Sequence, residues 1–146
     1  MNAFRKAYSV AGAFLMLQFV FQIYLVAAAL LAIFNANDNA KDVYAAFKTA
    51  DPFTSVHRLN GDLAALTILV MIGCSLGSRY PWRTTILTAL LFVLLVVQAF
   101  LASLGSIPVL AGLHGLNALI LIGLGGSLTA TTWAFRRGPA AAGTTP

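Results

Sequence analysis

The chain contains only two histidines, and each begins a similar short phrase. His57 opens the run His-Arg-Leu-Asn-Gly, and His114 opens the run His-Gly-Leu-Asn-Ala. Each run lies near the start of a long apolar stretch. If these stretches pack together as membrane helices, the two imidazoles lie at a similar depth and face the interior of the bundle. Two facing imidazoles are the arrangement that holds a haem iron between axial ligands.

Haem iron suits this pair of histidines better than zinc does. Haem brings four porphyrin nitrogens of its own, whereas zinc normally takes three or four ligands from the protein. Asp62 and Cys74 are the candidates to complete a zinc site, but on a helix Asp62 is turned about 140° away from His57. Cys74 lies much deeper and is interpreted as a small apolar packing residue. The alternative for the histidines is a pair of buried side chains hydrogen-bonded across helices.

Small and polar residues recur at the same distances from the two histidines. Gly61 and Ala118 follow at i+4 on the same helix face, where a porphyrin edge requires a small side chain. Close helix packing is the alternative explanation for such residues. Asn60 and Asn117 follow at i+3. They could fix an imidazole tautomer or form hydrogen bonds between helices.

Gln22, Gln98 and Arg58 complete the candidate site. The two glutamines lie in similar runs, Val-Phe-Gln-Ile-Tyr-Leu and Val-Val-Gln-Ala-Phe-Leu, and have the same two interpretations as the asparagines. Arg58 could pair with a haem propionate or with Asp62 at i+4. The alternative for Arg58 is a side chain that extends to the membrane interface.

The composition is typical of a membrane protein. Of the 146 residues, 60% are hydrophobic and 9% are charged, and a spanning helix needs ~20 mostly apolar residues. We predict an all-α protein, a bundle of four transmembrane helices at about residues 8–34, 54–77, 84–104 and 109–135. These form a single domain, residues 1–137, which leaves no room for a separate soluble catalytic domain. Residues 138–146 are predicted to be a disordered cytoplasmic tail.

The distribution of charge predicts the topology. The net charge of +5 comes from basic residues that flank the apolar stretches, and not from a patch that would bind nucleic acid. They occur before the first stretch, between the second and third, and after the fourth: Arg5 and Lys6, Arg79 and Arg83, Arg136 and Arg137. The positive-inside rule then places both termini in the cytoplasm. We expect a multi-pass protein of the cytoplasmic membrane, with its first span retained because that span exceeds a signal-peptide core.

The two halves of the chain look like parallel repeats. Each is a helical hairpin with a glutamine in its first helix and the histidine phrase in its second, which implies a pseudo-twofold axis along the membrane normal. The halves differ in their outer connection, residues 35–53 in one and a tight turn at residues 105–108 in the other. We interpret the long connection as an interfacial loop anchored by aromatic residues. A short amphipathic helix within residues 42–48 is the alternative.

This pattern resembles one half of haem A synthase. It also resembles small bacterial four-helix membrane proteins of unknown function that carry a similar histidine on helix two and a Leu-His-x-x-Asn motif on helix four, here Leu113 to Asn117. The resemblance covers about residues 8–137 and implies that His57 and His114 are axial ligands of one b-type haem. The chain lacks a second four-helix half and has no glutamate beside the helix-two histidine, so it departs from the synthase pattern.

We therefore expect a b-type cytochrome-like membrane protein with one bis-histidine haem near the outer face. It would exchange electrons with a quinol (quinone), a partner redox protein or a larger redox complex, which favours an electron-transfer or accessory membrane protein over a stand-alone enzyme. The alternative is a cofactor-free accessory or structural subunit of a larger membrane complex. A transporter or channel is the weakest interpretation, because no polar path crosses the inner half. We expect the lipid bilayer as a partner and no nucleic acid. The sequence leaves open whether the protein forms a homo-oligomer.

Overall fold

A computed structural model describes residues 3–39 and 42–135 of the chain. All regular structure in these ranges is α-helical: α1 (Ala3–Asp38), α2 (Val43–Lys48), α3 (Asp51–Gly77), α4 (Trp82–Ser103) and α5 (Pro108–Thr131). Four of these helices, α1, α3, α4 and α5, are long and apolar enough to cross a membrane. The all-α class and the four apolar helices of a multi-pass protein are therefore confirmed. The predicted tail at residues 138–146, and Arg136 and Arg137, lie outside the described residues.

The four long helices form a bundle in which each packs mainly against two neighbours. The helix α1 packs on α3 and α5, and α4 packs on α3 and α5. It follows that α1 lies diagonally opposite α4, and α3 diagonally opposite α5. The two helices that carry the histidines are thus separated by the centre of the bundle.

The packing of the bundle is that of a protein in lipid. Leu15, Ile68, Met71 and Leu91 are completely buried at its centre. Large apolar side chains also cover the outside, and Leu17, for example, is 67% exposed. Helices suit this environment because their backbone groups are hydrogen-bonded within the segment, and hydrocarbon offers no water to satisfy them.

Prolines and one left-handed residue define several helix ends. Pro52 and Pro108 lie in the first turns of α3 and α5, where a missing N–H costs nothing and the fixed φ favours the helix. Pro81 is the N-cap of α4. Between α3 and α4, Arg79 has a φ of 55°, which reverses the chain in a short turn. The sequence thus sets sharp boundaries at the starts of α3, α4 and α5.

Residues 43–48 form a helix, so the predicted irregular loop in this connection is wrong. The carboxylate of Asp42 accepts a hydrogen bond of 2.7 Å from the backbone N–H of Ala45 and caps α2. Ala46 is buried against the bundle, while Tyr44 is 80% exposed. The N-cap and the small buried residue favour a short helix here, and the side chain of Tyr44 remains on its outer face.

The bundle has two chemically different ends. We call the end with His57, His114 and α2 the histidine end, and the end with residues 3–9, 78–82 and 131–135 the terminal end. At the terminal end, Arg5 donates hydrogen bonds to the carbonyls of Ser78 and Arg79, at 3.0 and 3.3 Å. Its guanidinium carbon lies 4.7 Å from the centre of the Tyr80 ring, and the Tyr80 hydroxyl donates to the Thr132 carbonyl.

A second set of hydrogen bonds at the terminal end joins α1 to α5. The Ser9 hydroxyl donates to the Thr132 carbonyl at 3.1 Å and accepts from the backbone N–H of Ala134 at 2.9 Å. Together with the contacts of Arg5 and Tyr80, these bonds form the terminal-end network, which ties the start of α1 to the ends of α3 and α5.

We predict that Gly12→Leu destabilises the bundle and that Gly73→Leu does not. A Cβ at Gly12 would lie 2.7 Å from the Thr129 hydroxyl of α5, whereas nothing lies within 4 Å of a Cβ at Gly73. Forcing α1 away from α5 should lower the free energy of unfolding by about 1–3 kcal/mol. Unfolding of both variants in micelles, followed by circular dichroism, measures the difference. Equal losses of stability would contradict the assigned contact between α1 and α5.

Candidate functional site

The rings of His57 and His114 lie next to each other, although their helices are on opposite sides of the bundle. Their ring centres are 6.4 Å apart, and the ring planes make an angle of 47°. An imidazole nitrogen lies ~2.0–2.1 Å from a bound metal. Two rings on opposite sides of one metal ion therefore have their centres about 6 Å apart. The spacing of His57 and His114 fits a metal ion held by one nitrogen from each ring.

The ring of His114 is oriented by a backbone carbonyl. Its Nδ1 lies 3.0 Å from the carbonyl oxygen of Gln98 on α4. A carbonyl only accepts hydrogen bonds, so this contact assigns the proton to Nδ1 and leaves the lone pair on Nε2. Metal-binding histidines are commonly fixed in this way, by a hydrogen bond from the nitrogen that does not bind the metal.

The two asparagines tie each histidine helix to the first helix of its own hairpin. Asn60 donates to the carbonyl of Gln18 on α1 at 3.0 Å. Asn117 donates to the carbonyl of Leu94 on α4 at 2.9 Å and to Oε1 of Gln98 at 2.7 Å. Both asparagines are 7% exposed. Of the two roles that the sequence left open for them, the described contacts are hydrogen bonds between helices.

The two glutamines contact the histidine of their own hairpin through different atoms. Gln22 donates from Nε2 to the backbone carbonyl of His57 at 3.0 Å. Gln98 contacts the ring of His114 through its own backbone carbonyl, while its side chain accepts from Asn117. The sequence therefore located both glutamines beside the histidines, although the individual hydrogen bonds depend on side-chain conformations that no sequence pattern specifies.

Several buried polar atoms in the first hairpin have no hydrogen-bond partner among the described residues. They are both amide atoms of Gln18, Oε1 of Gln22 and Nδ1 of His57. Such atoms are costly in an apolar interior, and they usually indicate a bound water or another bound group. Gln18 was missed by the sequence analysis. Its only signal is a position four residues before Gln22, which places both amides on one face of α1.

The small and charged candidates lie at the margin of this group. A Cβ at Gly61 would lie 3.5 Å from Nε2 of Gln22, so the space beside this glycine is taken by the amide. Ala118 is half-buried, and Arg58 and Asp62 are exposed. No ion pair joins Arg58 to Asp62 in the described part of the chain. The side chains brought together are thus the histidines, asparagines and glutamines.

Protein side chains alone do not form a metal centre in the described ranges. Within residues 3–39 and 42–135, no three His, Cys, Asp or Glu side chains are grouped closely enough to hold a metal ion. Two facing imidazoles suit a metal that brings its own equatorial ligands, as haem does. The donor set of the histidine end therefore fits haem iron and does not fit a zinc site built from three or four protein ligands.

Part of the chain matches a known protein family. Residues 44–106 match the model of a family of unknown function (DUF6220). The matched stretch is less than half of the chain. It extends from α2 to the turn after α4, so it includes His57 but not His114. No curated protein and no solved structure matches the chain. The family match and the four apolar helices fit a small membrane family of unknown function.

We predict that Asn117→Leu destabilises the protein more than Asn60→Leu. Each substitution removes a hydrogen bond to a neighbouring helix, but loss of Asn117 also leaves Oε1 of Gln98 unpaired. A buried acceptor without a partner costs ~1–3 kcal/mol, and hydrogen bonds between membrane helices average ~0.6 kcal/mol. Reversible unfolding in mixed micelles gives both values. A larger effect of Asn60→Leu would contradict the assigned hydrogen bonds.

Proposed function

We propose that the protein is a b-type cytochrome-like membrane protein that holds one haem between His57 and His114 near one membrane face. The observation that carries this proposal is the separation of 6.4 Å between the two ring centres, across the diagonal of the bundle. As an electron-transfer protein, it would exchange electrons with a quinol or with a partner redox protein.

Matched contacts in the two hairpins support the proposed parallel repeats. Asn60 and Asn117 each donate to a carbonyl of the preceding long helix, four residues before a glutamine in both cases. The histidine helices α3 and α5 lie on one diagonal, and α1 and α4 on the other. A pseudo-twofold axis along the membrane normal would relate these pairs and would present equivalent residues to a single central ligand.

The surroundings of the two histidines indicate how they would hold a haem iron. Nε2 of His114 has the free lone pair, because the Gln98 carbonyl holds the proton on Nδ1. His57 would supply the second axial nitrogen, and the unpartnered atoms of Gln18 and Gln22 lie on its side of the bundle. Haem, when bound, supplies a one-electron redox centre. Held by two imidazoles, the haem iron would favour electron transfer over oxygen chemistry.

The charged residues support a proposed orientation in the cytoplasmic membrane. Arg5, Lys6, Arg79 and Arg83 all lie at the terminal end of the bundle. Basic residues are enriched on the cytoplasmic side of membrane proteins. We infer that the terminal end faces the cytoplasm and that the histidine end faces outward, so a redox partner would approach from the outer face or from the outer leaflet.

The visible spectrum of the purified protein tests the haem proposal. From haem-replete cells, the wild-type protein should show sharp reduced-minus-oxidised bands of a low-spin haem. His57→Ala and His114→Ala should each lose these bands, because each removes one axial ligand. Asp62→Asn is the matched control, since this exposed residue of α3 lies one turn from His57 and should leave the spectrum unchanged. A folded but colourless wild-type protein would instead favour a cofactor-free accessory subunit.

Carbon monoxide gives a second test of the coordination. With both axial positions filled by histidine, we expect carbon monoxide to leave the reduced wild-type spectrum unchanged. In His57→Gly, addition of free imidazole should restore the bands by filling the vacated position, and carbon monoxide should compete with it. A rapid spectral shift of the wild-type protein under carbon monoxide would show that one axial position is open.

A further inference from the structure

The histidine end contains a cavity of about 320 Å³ between α1, α2 and α3. Most of its wall is apolar: α1 contributes half of the lining residues, among them Leu25, Ala29 and Ile33, and α2 contributes Phe47. Small-molecule sites commonly have volumes of ~300–1,000 Å³ and mostly apolar walls with a few polar groups. The cavity is large enough for the ring of a small aromatic ligand with part of a tail.

One edge of the cavity is polar. Asp51, Thr54 and His57 all line it and follow one another at i+3 along α3, so they lie on one face of the helix in successive turns. These residues offer a carboxylate acceptor, an imidazole, and a hydroxyl that donates to the Asp51 carbonyl at 3.1 Å and can still accept a hydrogen bond. An occupant with oxygen atoms on a flat ring could form hydrogen bonds along this edge.

The mouth of the cavity opens on the outward surface of the bundle. Val26, Leu30 and Phe47 line the cavity and are also exposed. The helix α3 rises ~30 Å between Gly77 and His57, which is the thickness of the hydrocarbon core. The cavity therefore lies where the hydrocarbon meets the head groups at the histidine end, and its occupant would enter from the lipid.

We propose that this cavity binds the ring of a membrane quinol or quinone, with the tail leaving between Val26 and Leu30 into the bilayer. A phospholipid acyl chain offers no hydrogen bond to the polar edge, and an anionic head group would be repelled by Asp51. A neutral quinol is soluble in lipid and carries two oxygens on an apolar ring. The ring suits the apolar wall, and the oxygens can form hydrogen bonds with the polar edge. This inference rests on the proposed function and names its partner, because His57 belongs to the cavity wall as well as to the histidine pair.

Photolabelling tests the site. The probe is an azido-benzoquinone with a decyl tail, photolysed with the full-length protein in lipid nanodiscs, and the labelled peptides are identified by mass spectrometry. We expect saturable labelling within residues 25–33 or 50–57 that unlabelled decyl-benzoquinone competes away. Labelling confined to other parts of the chain would overturn the proposal.

Matched variants sharpen the test. Val26→Trp fills the mouth and should reduce labelling at least tenfold, whereas Ala27→Trp, at the adjacent exposed position outside the cavity wall, should not. Thr54→Val removes a hydroxyl from the polar edge and should reduce labelling several-fold, with Ser55→Ala as its control. Equal labelling of Val26→Trp and Ala27→Trp would overturn the proposal, and so would competition by decanol as effective as that by the quinone.

His114→Ala separates this inference from the haem proposal. The substitution removes one proposed axial ligand but no residue of the cavity wall. Retained labelling in this variant, together with a lost haem spectrum, supports both proposals. Specific labelling of a wild-type protein that contains no haem would overturn the haem proposal and leave the quinol site supported. A wild-type protein that contains haem but is not labelled would overturn the quinol site alone.

Discussion

The arrangement of this bundle depends on hydrogen bonds from asparagine side chains to carbonyls of neighbouring helices. In lipid, apolar side chains gain little by moving from acyl chains to another helix, so packing and polar contacts must fix how helices align. The bond from Asn60 to the Gln18 carbonyl sets α3 against α1, and the bond from Asn117 to the Leu94 carbonyl sets α5 against α4. Because each asparagine lies three residues after a histidine, the same contacts bring both imidazoles to a common level.

Sequence reasoning recovered the helical class and the four apolar spans, and it pointed to six polar residues that lie together at the histidine end, because each of these features leaves a signal in the sequence. Hydropathy marks the spans, and the two similar phrases mark His57 and His114. The structure of residues 43–48 was harder to predict, since a short capped helix and an aromatic interfacial loop have similar compositions. Gln18 was missed because its counterpart in the second hairpin is Leu94, which gives no repeated polar signal. The hydrogen bonds of Gln22 and Gln98 depend on rotamers and on helix rotation, which the sequence does not encode locally.

The two hairpins have similar elements but different degrees of polar satisfaction. In the second hairpin, Asn117, Gln98 and His114 are linked to one another and to the backbone. In the first, buried atoms of Gln18, Gln22 and His57 have no hydrogen-bond partner among the described residues. The additional helix α2 borders an open cavity on the same side of the bundle. The paired polar groups make the second hairpin a rigid frame. In the first hairpin, the unpaired amide and imidazole atoms can still form hydrogen bonds with a bound molecule.

The terminal-end network has a consequence for how the protein is made. Arg5 and Ser9 lie in α1, yet their partners elsewhere in the chain are the carbonyls of Ser78, Arg79 and Thr132. During synthesis α1 therefore exists before these acceptors do, because the acceptors of Arg5 follow it by 73 and 74 residues and the Thr132 carbonyl follows Ser9 by 123 residues. A product that ends before Thr132 would leave the Tyr80 hydroxyl without its acceptor, and the Ser9 hydroxyl would keep only its bond to the Arg5 carbonyl within α1.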